Sequence, residues 1–394
     1  MTDFWRELAK EHWNKSPCRL AAGSFQLPIE TDAVCASLRA AALAKTRGES
    51  SALLRLLLRN PGGEWRPERE LGGFVPDGKD TLDTYAHRLA RERSRVEICF
   101  IANALQLNDF ALWARLSQWL KPLCAVTGLP RFGIEAGVFF GNYQATAFGV
   151  HRDKVGVVMI VLKGSKTMRF WAPDKVTESD SVRYQHDYRP LLAGGFAIHA
   201  NEGDLVYWPA GYWHVGESKG FSATLNIGFG THGPSAFAAA LPNEPTDVVL
   251  ESLRGLMRAR GPSRPTAAGA LRRVEKIVAE REALRAEIAA AALIRETAFG
   301  FQPAPAPDSL AQLRTSDVLQ RDPRFRLRLQ RVGKLLVISA NGHAFKVPYS
   351  RPRLALLARI NRGNPISASA VSDKMARELL QGLLAVRALL KVAA

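Results

Sequence analysis

Gly149-Val150-His151-Arg152-Asp153 opens the stretch on which the reading of this chain turns; an apolar run, Val155 to Leu162, follows it and turns at Lys163-Gly164-Ser165-Lys166. Further on stands Gly203-Asp204-Leu205-Val206-Tyr207-Trp208-Pro209-Ala210-Gly211-Tyr212-Trp213-His214. Side chains alternate along an extended strand, so an H-x-D triplet turns its first and third residues to one side. A third ligand must then come from a strand distant in sequence. His214, placed behind the turn Pro209-Ala210-Gly211 and 61 residues after Asp153, fits that position. Two imidazoles and one carboxylate, held on one face with the remaining positions open, are the donor set of a non-haem iron(II) site. An H-x-D triplet is weak by itself, because a capping aspartate beside a surface histidine gives the same letters.

Around this stretch the runs Ile134 to Phe140, Val155 to Leu162, Thr167 to Trp171, Gly195 to His199, Asp204 to Pro209 and Phe221 to Phe229 are short, rich in β-branched and aromatic residues, and separated by Gly, Pro or Asp. Such a succession predicts a closed or double-sheet β structure over 134–232 rather than βαβ units. Residues 1–133 read as a helical and loop region packing on that core. Phe4, Trp5, Leu8 and His12 recur at helical spacing until Pro17, with packing against a sheet as their expected role. Residues 30–60 hold another helical pattern, with Leu53, Leu54, Leu56, Leu57 and Leu58, expected to stop at Asn60-Pro61-Gly62-Gly63. Gly62 to Lys79 reads as a loop bordering a site. Leu82, Tyr85 and Leu89, then Leu112, Leu116 and Leu120, mark helices between Thr81 and Leu120.

Beyond Phe229 the pattern turns helical. Ala267 to Glu296 is amphipathic, its alanines suited to a partner helix, so residues 233–307 are expected to hold a dimerisation segment. Phe301-Gln302-Pro303-Ala304-Pro305-Ala306-Pro307 reads as a stiff linker ending it. In residues 308–394, Leu335 to Ile338 and Ala344 to Val347 flank Asn341-Gly342, a strong hairpin signal. Ser350 can cap a helix bearing Leu354, Leu357 and Ile360, and Ala376 to Leu390 supplies another, which together suggest a winged-helix-like module. The fold class expected is thus α+β: a β core with flanking helices, a helical segment and a basic terminal module.

The net charge of +17 is concentrated: residues 251–394 hold 26 Lys+Arg against 11 Asp+Glu, and residues 314–394 hold 16 against 4. A module of that kind suits a polyanion such as RNA. No run of eighteen apolar residues occurs and Met1-Thr2-Asp3-Phe4-Trp5-Arg6 lacks a signal-peptide core, so a cytoplasmic protein with no membrane partner is expected. Cys18, Cys35, Cys99 and Cys124 are widely spaced and read as buried free thiols.

From Ala136 to Trp171 and from Gly203 to Phe229 the chain resembles the JmjC and cupin-like 2-oxoglutarate oxygenases, most closely the bacterial ribosomal oxygenases that hydroxylate ribosomal proteins. Gly149, His151, Asp153, Lys166, Gly203, Asp204, Pro209, Gly211 and His214 stand in register with that pattern, and agreement at independent offsets is what raises it above a chance triplet. The resemblance implies a double-stranded β-helix core. It also implies iron(II) on His151, Asp153 and His214, 2-oxoglutarate as co-substrate, and dioxygen. It places Lys166 against the C5 carboxylate of 2-oxoglutarate, where an unpaired buried charge would be costly. Thr224, Asn226, Tyr143 and Asn142 are further candidates to touch the co-substrate. The reaction implied is hydroxylation of a residue in a protein or peptide, a ribosomal protein favoured. The motif around Gly211-Tyr212-Trp213-His214 and Glu217-Ser218 equally suits broader JmjC hydroxylases, so a tailoring enzyme for a peptide natural product stays open. So does a non-catalytic cupin that regulates through nucleic acid. Two further histidines read as bystanders: His186 is expected to be exposed in the charged segment Ser179 to Arg189, and His199 lacks a partner at ligand spacing, while Asp204 is expected to hold a turn.

Overall fold

The computed structural model describes residues 3–48, 53–92, 95–230, 281–305 and 312–392. The chain divides into two compact units, Met1–Ala239 and Ala240–Ala394.

Among the described residues of the first unit, helices α1 (Asp3–Glu11), α2 (Ala33–Thr46), α3 (Leu82–Glu92) and α4 (Phe110–Thr127) accompany twelve strands. These are β1 (Cys18–Leu20), β2 (Leu53–Arg59), β3 (Arg66–Glu68), β4 (Glu97–Asn103), β5 (Ile134–Gly141), β6 (His151–Arg152), β7 (Gly156–Lys163), β8 (Ser165–Trp171), β9 (Phe196–Asn201), β10 (Leu205–Trp208), β11 (Trp213–Glu217) and β12 (Ser222–Phe229). All pairings are antiparallel. One sheet has eight strands, ordered β1-β10-β7-β12-β5-β4-β2-β3, and the other has four, ordered β6-β11-β8-β9. The six strand runs expected between 134 and 232 all form. Val157, Met159, Val161, Val206 and Trp208 of the large sheet pack with Met168, Phe170 and Ala200 of the small one, so apolar inward faces meet between the two sheets. Gly164 turns β7 into β8 at φ +74°, where a Cβ would stand 2.3 Å from the Phe221 carbonyl oxygen.

The N-terminal region departs from its sequence reading. The leucine run at 53–59 is not a helix but β2, with Leu54 and Leu56 buried and Leu53 and Arg55 exposed. Its leucines satisfy helical and strand spacing alike, and pairing with β4 along its whole length decides for the strand. Strand β4, Glu97–Asn103, falls where only helices were expected and sits inside the large sheet between β2 and β5. The large sheet therefore begins at β1, not at residue 134, and residues 1–133 contribute four of its strands. Helix α1 rests on another helix rather than on the sheet: Trp5 donates its indole N–H to the Trp119 carbonyl of α4 at 3.1 Å. Beyond α1, Trp13 stacks on Tyr207 of β10.

In the second unit, Ala286, Ala289, Ala290 and Leu293 of the helix Arg281–Thr297 pack on Val332 and Val337 of the antiparallel strands Arg328–Val332 and Leu335–Ala340. The alanine-rich face that suggested a dimer contact is thus covered within its own unit; residues 266–280 of that segment lie outside the described residues. Phe301, Gln302 and Ala304 are buried, and Ala304 N–H donates to the Asn341 carbonyl at 2.9 Å, so residues 301–305 are packed chain and not a free linker. The hairpin forms as expected, with Asn341 at φ +49° and Gly342 at φ +81°. Ser350 caps the helix Arg351–Asn361 through the Arg353 N–H, and a second helix spans Lys374–Ala385.

Candidate metal centre

Strands β6 and β11 are neighbours in the small sheet, and their register sets His151 directly opposite His214. Asp153 lies just past the end of β6. Its carbonyl accepts the Gly211 N–H at 2.9 Å, which ties the turn before β11 to the H-x-D segment. Gly211 sits at φ +86° in that turn. As a result one ligand atom from each of His151, Asp153 and His214 falls within 4.8 Å of the others, the only such cluster among the described residues. The ring centroids of the two histidines are 4.3 Å apart.

The tautomers follow from the backbone. His151 Nδ1 lies 2.9 Å from the Gly149 carbonyl oxygen, and His214 Nδ1 lies 3.0 Å from that of Tyr212. A carbonyl can only accept, so both rings carry their proton on Nδ1 and turn the Nε2 lone pair to the cluster. His214 Nε2 stands 3.6 Å from Asp153 Oδ2. Burial, and next the nearness of His151, push the His214 pKa down to about 4, so the ring is neutral at physiological pH and available as a ligand. Gly149 is held at φ +63° with its α-carbon against Gln185; an added Cβ would stand 1.8 Å from the Gln185 carbonyl.

The cluster opens into a cavity of about 340 Å³ between the sheets, lined by both metal-side and deep residues. At the deep end, Lys166 on β8 is 3% exposed. Its Nζ donates to Tyr143 Oη at 2.5 Å and Ser218 Oγ at 2.9 Å, and lies 4.0 Å from the Tyr143 ring centre. Neither partner is anionic. Burial pushes the Lys166 pKa down to about 7 and that of Tyr143 well above its ordinary value. Gly141 gives the Tyr143 ring its room, since a Cβ there would come within 2.4 Å of it.

Thr224 and Asn226 both line the cavity, two apart on β12, and their Oγ1 and Oδ1 atoms are buried without a hydrogen-bond partner. Buried polar atoms of this kind ordinarily find one. Thr146 Oγ1 and the Trp208 indole N–H, also lining the cavity, are in the same state. Asn142 stands apart: its side chain accepts from the Ile98 N–H at 2.7 Å and donates to the Val96 carbonyl at 3.0 Å, clamping β4 to β5 outside the cavity. His186 and His199 are exposed, and Asp204 accepts from the Asn201 and Ala22 N–H groups as a turn residue. Thr146, Ser218, Arg55 and Asn103 went unnoticed in the sequence. Ser218 was within reach as the residue following the second histidine's strand, whereas Arg55 and Asn103 come from strands that the pattern hid.

The donor set fits an iron(II) ion: two neutral Nε2 atoms and a carboxylate, with open cavity beside them. An ammonium with no counter-charge and a group of unsatisfied polar atoms fit a dicarboxylate reaching from that ion to Lys166.

Residues 127–237 match the family model of the JmjC domain. No curated protein matches the sequence. Among solved structures, the ribosomal oxygenase YcfD from Escherichia coli superposes with a TM-score of 0.51 at 18% identity, over 99% of this chain and 98% of that one. The same enzyme in complex with cobalt and succinic acid gives 0.50 at 18% identity, over 99% and 98%. The fold of the first unit is thus that of the JmjC and cupin proteins.

Proposed function

We infer that the protein is an iron(II)- and 2-oxoglutarate-dependent oxygenase that hydroxylates an amino-acid residue in a protein or peptide, releasing succinate and carbon dioxide. One observation carries the reading: the His151, Asp153 and His214 cluster and the uncompensated Lys166 ammonium lie in a single cavity. A regulator that only binds has no use for a buried lysine without a counter-charge, which is costly to keep. The JmjC match over 127–237 supports the chemistry, and the likeness to a ribosomal oxygenase favours a ribosomal protein as substrate.

In this reading His151, Asp153 and His214 hold the iron, which supplies dioxygen activation for an otherwise inert C–H bond. Lys166 pairs with the far carboxylate of 2-oxoglutarate, with the Tyr143 and Ser218 hydroxyls beside it. Thr224, Thr146 and the Asn226 amide offer hydrogen bonds along the co-substrate. The Gly149 and Tyr212 carbonyls keep both imidazoles oriented, and the Trp208 and Phe170 rings around His214 exclude water from the metal's inner side. The second unit, with its surplus of cations, contacts a phosphate polyanion such as RNA and so assists substrate capture.

Anaerobic addition of iron(II) and 2-oxoglutarate should produce a weak visible charge-transfer band, and aeration should release succinate. Full metal content and an unchanged band in His151→Ala would reject the assignment of the ligands.

A further inference from the structure

Registers across the large sheet carry the cavity beyond the barrel. Thr224 on β12 pairs with Phe139 on β5, Phe139 with Ile101 on β4, and Ile101 with Arg55 on β2. The next row of the same face runs Asn226, Gly137, Asn103, Leu53. Residues so aligned point to one side of a sheet, so the wall carrying Thr224 and Asn226 on β12 continues outward across β5 to Asn103 on β4 and Arg55 on β2. Both line the metal cavity.

Each of these two side chains is placed for a ligand. Arg55 is exposed and its guanidinium lies 5.2 Å over the Phe148 ring, which in turn packs edge-on against His151 with centroids 5.7 Å apart. Among the described residues no carboxylate pairs with it, although its neighbour Arg59 on the same strand pairs with Glu97. The Asn103 amide lies over β5 only because residue 137 is glycine; a Cβ there would stand 2.6 Å from Asn103 Oδ1. The other cation of the cavity, Lys166, is buried at the deep end against Tyr143 and Ser218. A guanidinium stacked on an aromatic face keeps its N–H edge free and matches a carboxylate in two-point geometry.

We propose that Arg55, with Asn103 beside it, is the specificity-determining group of this site, and that it recognises a carboxylate on the substrate a short way from the oxidised carbon. This rests on the oxygenase reading above. The carboxylate can belong to an Asp or Glu side chain or to the end of a peptide chain. Either would lie along the β4–β2 extension with its neighbouring residue over the metal.

The test uses the full chain loaded with manganese(II) and 2-oxoglutarate without oxygen. It is offered matched pools of synthetic peptides that carry Asp or Glu, Asn or Gln, or Lys at the same position, each with a free or an amidated C-terminus, and the retained peptides are read by mass spectrometry. The wild type should retain carboxylate peptides over their amide counterparts roughly ten- to a hundredfold, as expected for a charge-assisted pair. Arg55→Gln should erase that preference, Arg55→Lys should keep part of it, and Arg55→Glu should turn it toward peptides bearing lysine. Retention that follows Asp and Glu whatever the terminus identifies a side-chain carboxylate, and retention of free termini alone identifies the chain end. No preference in the wild type, or one that survives Arg55→Glu, overturns the proposal. Binding of 2-oxoglutarate to the manganese-loaded wild type is measured separately by calorimetry; its failure would instead remove the oxygenase reading.

Discussion

Lys166 concentrates the physics of the site in one side chain. Its ammonium is taken out of water with two hydroxyls and an aromatic face as its only compensation, and burial lowers its pKa to about 7. In the proposed reading a dianionic co-substrate would restore the missing charge, so its binding would raise that pKa again. Below about pH 7 the ammonium is already present. Above it, the free protein holds a neutral amine that has to gain a proton when 2-oxoglutarate binds. Affinity should therefore fall as pH rises through 7 and beyond. Calorimetry at pH 8 in buffers of different ionisation enthalpy should record uptake of close to one proton per co-substrate in the manganese-loaded protein. Lys166→Ala should remove this uptake and raise the KM for 2-oxoglutarate roughly ten- to a hundredfold while metal affinity stays near its original value. An unchanged KM would place the anchor elsewhere. His151, Asp153, Lys166 and His214 could be singled out in the sequence because they stand in register with the motif of the family the chain resembles. Thr146 could not, since what brings it to the cavity is the pairing of the segment 144–146 with 216–218.

Strands explain both what the sequence disclosed and what it hid. The six runs between 134 and 232 are bounded by turn residues and read as strands without help. β2 and β4 are harder to read: Leu53–Arg59 satisfies either periodicity although Asn60-Pro61-Gly62-Gly63 ends it, and Ile98–Ala102 is a short apolar run between two helices, which periodicity alone leaves ambiguous. Each acquires its identity only from its neighbours in the sheet, and with them come Arg55 and Asn103. Asn142 belongs to the same account. The resemblance offered it as a co-substrate contact, yet its amide bridges Val96 and Ile98 at the start of β4. Asn142→Ala leaves the Ile98 N–H and the Val96 carbonyl without their partner, which should lower the unfolding free energy by about 1–3 kcal/mol in a denaturant titration. The KM for 2-oxoglutarate should not move. A raised KM with unchanged stability would return Asn142 to the co-substrate.

At the scale of the whole chain, charge and architecture divide at the same place. Residues 240–394 hold 26 Lys+Arg against 13 Asp+Glu, a surplus of +13 out of the total +17. Within that unit Asp322, Glu296, Glu287, Asp373 and Asp317 are each already engaged by an arginine or lysine. The cations beyond these pairs, among them Arg326, Lys334, Arg351 and Arg362, leave a net positive field open to solvent. Such a field attracts phosphate chains and is screened by salt. Full-length protein should bind single-stranded polyuridylate with a logarithmic affinity that falls linearly with the logarithm of salt concentration. A truncation meant to isolate this contribution has to respect the packing. Ending the chain at residue 313 would strip Val332 and Val337 from Ala286, Ala289 and Leu293 and expose an apolar face, whereas ending at Ala239 follows the division of the chain into units. The protein of residues 1–239, with a surplus of only +4, should lose most of its affinity for polyuridylate yet keep manganese and 2-oxoglutarate binding, because every residue lining the metal cavity lies within it. Equal binding of polyuridylate by both proteins would assign the polyanion contact to the first unit. Loss of 2-oxoglutarate binding by a folded 1–239 protein would mean that the second unit completes the site.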